Sequence, residues 1–271
     1  MNKELQNLLI EGAEAFSESI NEEQIEKFVL YMDLLKEWNG RFNLTAIEDD
    51  RDVIVKHFID SLSILPYIKK GKKENNSNDC KRDSNSRFDD KGNDLDDNLY
   101  VGSKLSLIDI GSGAGFPGIP VKILRDDISV TLVDSLEKRV KFLKEVTARL
   151  DLKGMSSLHG RAEDFGMNPK YRERFDICTA RAVANLPVLL EYCLPFVKIG
   201  GIFIAMKTSN NEEMENSKKA LEILGGEIEK INDITLPSSS IKRSIIVVGK
   251  KRATPAQYPR KAGKASKGPI I

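Results

Sequence analysis

Along the N-terminal quarter of the chain, apolar residues recur at the three-and-four spacing of amphipathic helices. Leu5, Leu8 and Leu9 begin one apolar face, and Ile25, Phe28, Val29, Met32, Leu35 and Trp38 form a second. Asn21 and Gln24 stand at the spacing of a capping box ahead of that second helix. In the stretch WNGRFNLTAI, residues 38–47, the short or planar polar side chains Asn39, Gly40, Arg41, Asn43 and Thr45 predict an interruption of the helix by a loop. A third helix is expected from Val53, Ile54, Phe58, Leu62 and Leu65, and it carries His57, Asp60 and Ser61. Beyond residue 104 the pattern changes. Short apolar runs at 105–110, 130–134, 156–159, 175–179 and 202–206 read as strands, and helical spacing fills 119–124, 136–150, 186–196 and 212–224. Strict alternation of strand and helix predicts a parallel sheet covered on both faces, with its ligand beyond the carboxyl ends of the strands where strand order reverses. Two last runs, 227–236 and 244–249, are joined by a short Pro and Ser loop that forces them antiparallel. The expected class is α/β: a doubly wound, mainly parallel sheet with a final antiparallel pair, preceded by a helical extension.

The 271 residues divide on this reading into a helical extension (1–68), a charged insertion (69–99), a sheet domain (100–250) and a basic tail (251–271). Residues 69–98 hold eight basic and eight acidic residues and six asparagines, with Phe88 and Leu95 as the large apolar ones. Such a composition cannot bury enough surface to offset its ordering entropy, so disorder is expected there. Lys plus Arg (42) nearly balances Asp plus Glu (41), so net charge points to no partner. The distribution is more informative: residues 250–271 hold seven basic residues, Arg252, Arg260 and Lys261 among them, and no acidic one. Prolines at 255 and 259 suit an extended run along RNA phosphates. No apolar run is long enough to cross a bilayer, and the N-terminal residues lack the apolar core of a signal peptide, so a cytosolic monomer is expected. Cys80, Cys178 and Cys193 lack metal-like spacing, which predicts neither a disulfide framework nor a metal site.

The densest chemical signal is SLIDIGSGAGFPGIPV, residues 106–121. An apolar strand ends in Gly111, Gly113 and Gly115, then a helix begins, which is the layout of a cofactor loop. Asp134 closes the next strand about twenty residues beyond the glycines, where a carboxylate accepts from the two hydroxyls of a ribose; its other reading is a simple helix cap. Two cofactors remain open. Gly113, Gly115 and Gly118 satisfy the GxGxxG spacing of nicotinamide dinucleotide sites, but Phe116 and Pro117 occupy positions where a pyrophosphate needs free N–H groups. Asp109 adds a negative charge that favours the cationic S-adenosylmethionine. A protein that binds a nucleoside and RNA without turnover is a third reading.

The motifs DIGSGAGFPGIP, VTLVDSLEKRVKFL, HGRAEDF, TARAVANL, FNLTAI, HFIDSL and the terminal ATPAQYPRKAGKASKGPI together resemble the family of ribosomal RNA small subunit methyltransferase G, also called glucose-inhibited division protein B. The resemblance implies a class I, Rossmann-like methyltransferase that moves a methyl group from S-adenosylmethionine to N7 of a guanine in the 530 loop of 16S ribosomal RNA, free or in a small-subunit precursor. It places Gly111, Gly113, Gly115, Phe116, Asp134, Ala162, Glu163 and Arg181 at the cofactor, with Ala162 and Glu163 beside the adenine. Arg181, ending the fourth strand, is the expected catalytic residue, bridging cofactor and RNA; a structural ion pair is its alternative. Asn43, His57, Arg252, Arg260 and Lys261 are the expected RNA contacts. The family pattern has only a short link where this chain carries its insertion. A proton-free nucleophile agrees with the lack of a supported thiol, and of an Asp/Asn-Pro-Pro-aromatic signature after the fourth strand.

Overall fold

A computed structural model of the chain describes residues 1–68, 105–208 and 211–271. The expected disordered insertion, with Cys80 and the first residues of the sheet domain, lies outside the described residues. Five strands, β1 (Ser106–Ile110), β2 (Ser129–Asp134), β3 (Met155–His159), β4 (Phe175–Arg181) and β5 (Val197–Lys207), run parallel. β7 (Lys242–Lys250) enters antiparallel between β5 and β6 (Gly226–Thr235), giving the order β3-β2-β1-β4-β5-β7-β6. Strand order reverses between β1 and β4, so the carboxyl ends of these two strands frame a crevice.

The helices are α1 (Lys3–Glu14), α2 (Glu22–Phe42), α3 (Asp50–Val53), α4 (Asp60–Leu62), α5 (Gly118–Leu124), α6 (Glu137–Arg149), α7 (Ala162–Met167), α8 (Leu186–Cys193), α9 (Asn211–Glu215), α10 (Lys218–Leu224) and α11 (Lys264–Lys267). Asn21 and Gln24 form the expected capping box on α2. α2 does not break at Asn39. It continues to Phe42 and ends at Asn43 in the left-handed region (φ 48°), because the buried Asn39 side chain accepts from the Thr45 N–H beyond the helix end and so closes the turn. The third expected helix is one run in which a π-helical stretch, Ile54–Ile59, joins α3 to α4. The final expected helix is divided into α9 and α10, and α7 forms where no helix is expected, because six residues are too few to show a period.

The N-terminal helices are not a separate body. Phe28, Tyr31, Met32, Leu35, Phe58 and Leu62 share one continuous core with Phe116, Ile119, Phe142 and Leu143, and this layer covers one face of the sheet. α8, α10 and the C-terminal Ile270 bury the other face around Leu189, Leu190, Phe203 and Val248. The tail departs from the expected extended form: Thr254, Pro259, Ala265 and Ile270 are buried against the domain. Lys250, counted among the basic tail residues, ends β7 fully buried, with its ammonium donating to Leu194 O (2.7 Å) and paired with Glu173 (3.2 Å).

Candidate cofactor site

The loop after β1 turns on Gly111, Gly113 and Gly115, all at positive φ (69°, 59° and 100°). Two observations show what it is shaped for. A Cβ at Gly113 would meet nothing nearer than Gly111 O at 4.0 Å, so the loop has an open side. A Cβ at Gly118 would stand 2.4 Å from Leu132 Cδ2 and 3.1 Å from Asp109 Oδ2, so this glycine serves close packing of helix on strand rather than a pyrophosphate. The GxGxxG spacing is accounted for without a dinucleotide. Asp109 lies under the loop at 0 % exposure and fastens it, accepting from Gly118 N–H and Thr179 Oγ1, both at 3.1 Å. Burial pushes its carboxyl up to about 6, opposed by those hydrogen bonds and by Arg181. Its role is structural, not the open negative charge expected from the sequence. Tyr31, on α2, donates to Ala114 O from the helical layer and pins the loop from the other side.

Asp134 ends β2 beside the loop and is 3 % exposed. Its Oδ2 accepts from Gly113 N–H (2.9 Å) and its Oδ1 from Leu136 N–H (2.8 Å). Oδ1 keeps a further lone-pair direction. The turn-capping alternative is therefore present alongside the placement expected of a ribose acceptor. Arg139 NH1 stands 3.5 Å from Oδ2, and its buried Nε has no partner among the described residues. Ala162 and Glu163 open α7 just beyond β3, both largely buried. Glu163 Oε1 accepts from the N–H of Gly263 in the tail (3.0 Å). Two nearly buried carboxylates beyond adjacent strand ends, next to a loop with an open glycine, fit a ligand rich in hydroxyl and amino donors.

Phe116 roofs the core at 4 % exposure and is sandwiched by groups from both halves of the chain. The His57 ring stacks on it at 4.4 Å and 12°, and the Arg181 guanidinium lies 5.0 Å from its centroid. Arg181 NH1 donates to Lys56 O (3.0 Å) and Asp60 Oδ2 (3.1 Å), and NH2 donates to His57 Nδ1 (3.1 Å). Asp60 Oδ1 accepts in turn from Arg243 Nε at 3.0 Å. The structural ion pair weighed for Arg181 is thus formed, and its fork ties the end of β4 to the π-helical turn of the N-terminal layer. Because arginine only donates, His57 Nδ1 accepts and Nε2–H donates to Thr45 Oγ1 at 2.9 Å. Burial, reinforced by the charge of Arg181, drives the His57 imidazole down to about 3, so it is neutral.

These contacts correct two expected RNA ligands. His57 has both ring nitrogens engaged inside the protein and none left for a phosphate. Arg260 donates through N, Nε and NH2 to the buried carboxylate of Glu191 (2.6–3.1 Å), a pair that fastens the tail. Arg252 donates NH2 to Glu222 O (2.6 Å) but is exposed, as are Asn43 and Lys261. Cys178 is fully buried in β4 and burial pushes its thiol up, which removes it as a nucleophile. Tyr31, Asp60 and Arg243 are site residues that sequence reasoning did not assign. Tyr31, three residues after Phe28 on the apolar face of α2, was legible as core; Asp60 is marked by its place three residues after His57 on one helix face, and nothing local marks Arg243.

A sheet of this order with a glycine loop at its switch point and acidic residues closing β2 and following β3 is the architecture of a class I methyltransferase. The family model for rRNA small subunit methyltransferase G matches residues 24–79 and 97–244, and the chain belongs to that family. A protein of that name from Acetivibrio thermocellus is 57% identical over 266 residues, covering 98% of this chain and 97% of the relative. Those from Alkaliphilus oremlandii and Clostridium novyi are 44% and 41% identical, each over 98% of this chain and covering 99% and 97% of the relative. The cofactor is S-adenosylmethionine, not a nicotinamide dinucleotide, and the protein is an enzyme. No helix among the described residues is long and apolar enough to cross a membrane.

Proposed function

We propose that this protein methylates N7 of a guanine in the 530 loop of 16S ribosomal RNA. S-adenosylmethionine supplies a methyl group made electrophilic by its sulfonium. Guanine N7 carries an in-plane lone pair and no proton, so the enzyme has no base to provide; its tasks are to align the reactants and keep water out. The observation that supports this division of labour is the state of the polar groups around Phe116. His57 is neutral with both nitrogens occupied, Cys178 is sealed in β4, and Asp109 lies under the loop, so no described group there is set to take a proton.

Gly111, Gly113, Gly115, Phe116 and Asp134 hold the methionine and ribose portions, and Ala162 and Glu163 border the adenine. Arg181 is a positioning residue in this scheme: it clamps the N-terminal layer to β4 and holds the His57–Phe116 stack in place beside the cofactor loop. Asn43, Arg252 and Lys261 are exposed and placed to meet the RNA backbone, and each phosphate contact would make binding fall with salt.

The test is methyl transfer to 16S RNA, naked or in small subunits, from cells lacking this protein, followed by borohydride and aniline. An N7-methylguanosine is positively charged in its imidazole ring and is cleaved at that site. Labelled methyl incorporation without an aniline-sensitive position would make N7 the wrong atom and require a base-dependent reaction.

A further inference from the structure

The tail is fastened to the domain at points that converge on α7. Arg172, just beyond α7, donates to Gly166 O (2.9 Å) in that helix and to Tyr258 O (2.7 Å), Thr254 O (2.7 Å) and Pro255 O (3.2 Å) in the tail. Glu173 accepts from Thr254 N–H at 2.8 Å. Pro259 lies so close to Gly166 that a Cβ there would be 3.0 Å from its Cγ. Arg260 is held by Glu191, which is 1 % exposed, and the next turn delivers the Gly263 N–H to Glu163 Oε1. Glu163 itself is 5 % exposed, and among the described residues its other oxygen, Oε2, has no hydrogen bond.

We propose that residues 251–271 form a strap that positions the Glu163 carboxylate for the adenine end of S-adenosylmethionine, so that cofactor affinity depends on the tail. The proposal rests on the reading that Glu163 borders that end. A carboxylate held by one oxygen on a backbone N–H has lost most of its rotational freedom, and its free oxygen is fixed as an acceptor for an amino or hydroxyl donor. Without the Gly263 N–H the carboxylate is free to turn into solvent, and binding would then have to order it again. This adds a cofactor-side role to the RNA-facing one expected from the tail's composition.

The measurement is calorimetric affinity for S-adenosylmethionine and for 5′-methylthioadenosine, which keeps adenine and ribose but lacks the amino acid. Four proteins are compared: the full chain, a truncation after Arg260 that keeps the Arg172 and Glu191 anchors, Glu163→Gln, and the two changes combined. The truncation and Glu163→Gln are each expected to weaken both ligands by roughly tenfold, with the combination no weaker than the worse single change, since both act through one group. Wild-type affinity in the truncation, or losses that multiply in the combination, would overturn the strap and leave Glu163 in the site. Wild-type affinity in Glu163→Gln would instead overturn the adenine-side reading, and the proposal with it. Should the truncation not melt cooperatively, Glu191→Gln in the full chain replaces it, expected to weaken both ligands a few-fold and to add nothing in the Glu163→Gln background.

Discussion

Replacing Arg181 by alanine tests the clamp between the two halves of the molecule. The guanidinium is 13% exposed and its partner Asp60 is 2% exposed, so the ion pair is shielded from solvent screening. Removing one member of a buried pair costs about 3–5 kcal/mol because the other charge is left without compensation. Here Arg243 still reaches Asp60 at 3.0 Å, which places the expected loss near the low end, about 3 kcal/mol. In a chain of this size that lowers the melting temperature by roughly 6–12 °C. Arg181→Lys keeps the charge but cannot reach Lys56 O, Asp60 and His57 at once, and should fall between the two. Urea unfolding gives the stability term, and methyl transfer per folded molecule gives the functional one. The latter should drop on the order of a hundredfold in Arg181→Ala, since the His57–Phe116 stack beside the cofactor loop loses the group that holds its orientation. A stability loss below about 1 kcal/mol, the worth of an exposed pair, would refute the clamp. Full activity in a destabilised but folded mutant would confine Arg181 to folding.

Asp134→Ala should weaken S-adenosylmethionine binding by about tenfold or more, as it removes both a ribose acceptor and the acceptor for the Gly113 and Leu136 N–H groups; unchanged calorimetric affinity would put the ribose elsewhere. The pH dependence of stability should show two opposed contributions. His57 is held at about 3 against an ordinary 6.5, so on acidification from 6.5 the unfolded chain takes up a proton the folded one refuses, and stability falls. Asp109 is raised to about 6 from 3.8, so in that window the folded chain takes up the proton first, and stability rises as pH falls. Between about pH 6 and 4 they cancel in the wild type. Asp109→Asn should therefore unmask a slope about 1.4 kcal/mol per pH unit steeper than wild type there, and identical slopes would show that Asp109 titrates normally.

Much of the sheet was legible because strand and helix are written in local periodicity. The runs at 105–110, 130–134 and 156–159 became β1, β2 and β3 within a residue, and the glycines marked the end of β1 as a seat for a ligand. The antiparallel close was equally legible, since a short loop leaves a strand no other way to return. What local pattern could not carry was the partner of each charge. Arg181 and Asp60 are 121 residues apart, and Arg243 and Asp60 are 183 apart. Only the order of strands, decided by how both faces are buried, brings these side chains together. The same limit governs the tail. A run of Lys and Arg reads alike whether it trails in solvent or meets Glu191 and Glu163, and Arg260 and Gly263 acquire their roles only because α7 and α8 present buried acceptors across the path of the tail. Sequence by itself determined the class of fold, the glycine loop and the chemistry it admits. Tertiary structure alone decided which charges are spent inside the protein and which remain at the surface, because the electrostatic energy of a side chain is set by neighbours distant in the chain and by the water they exclude.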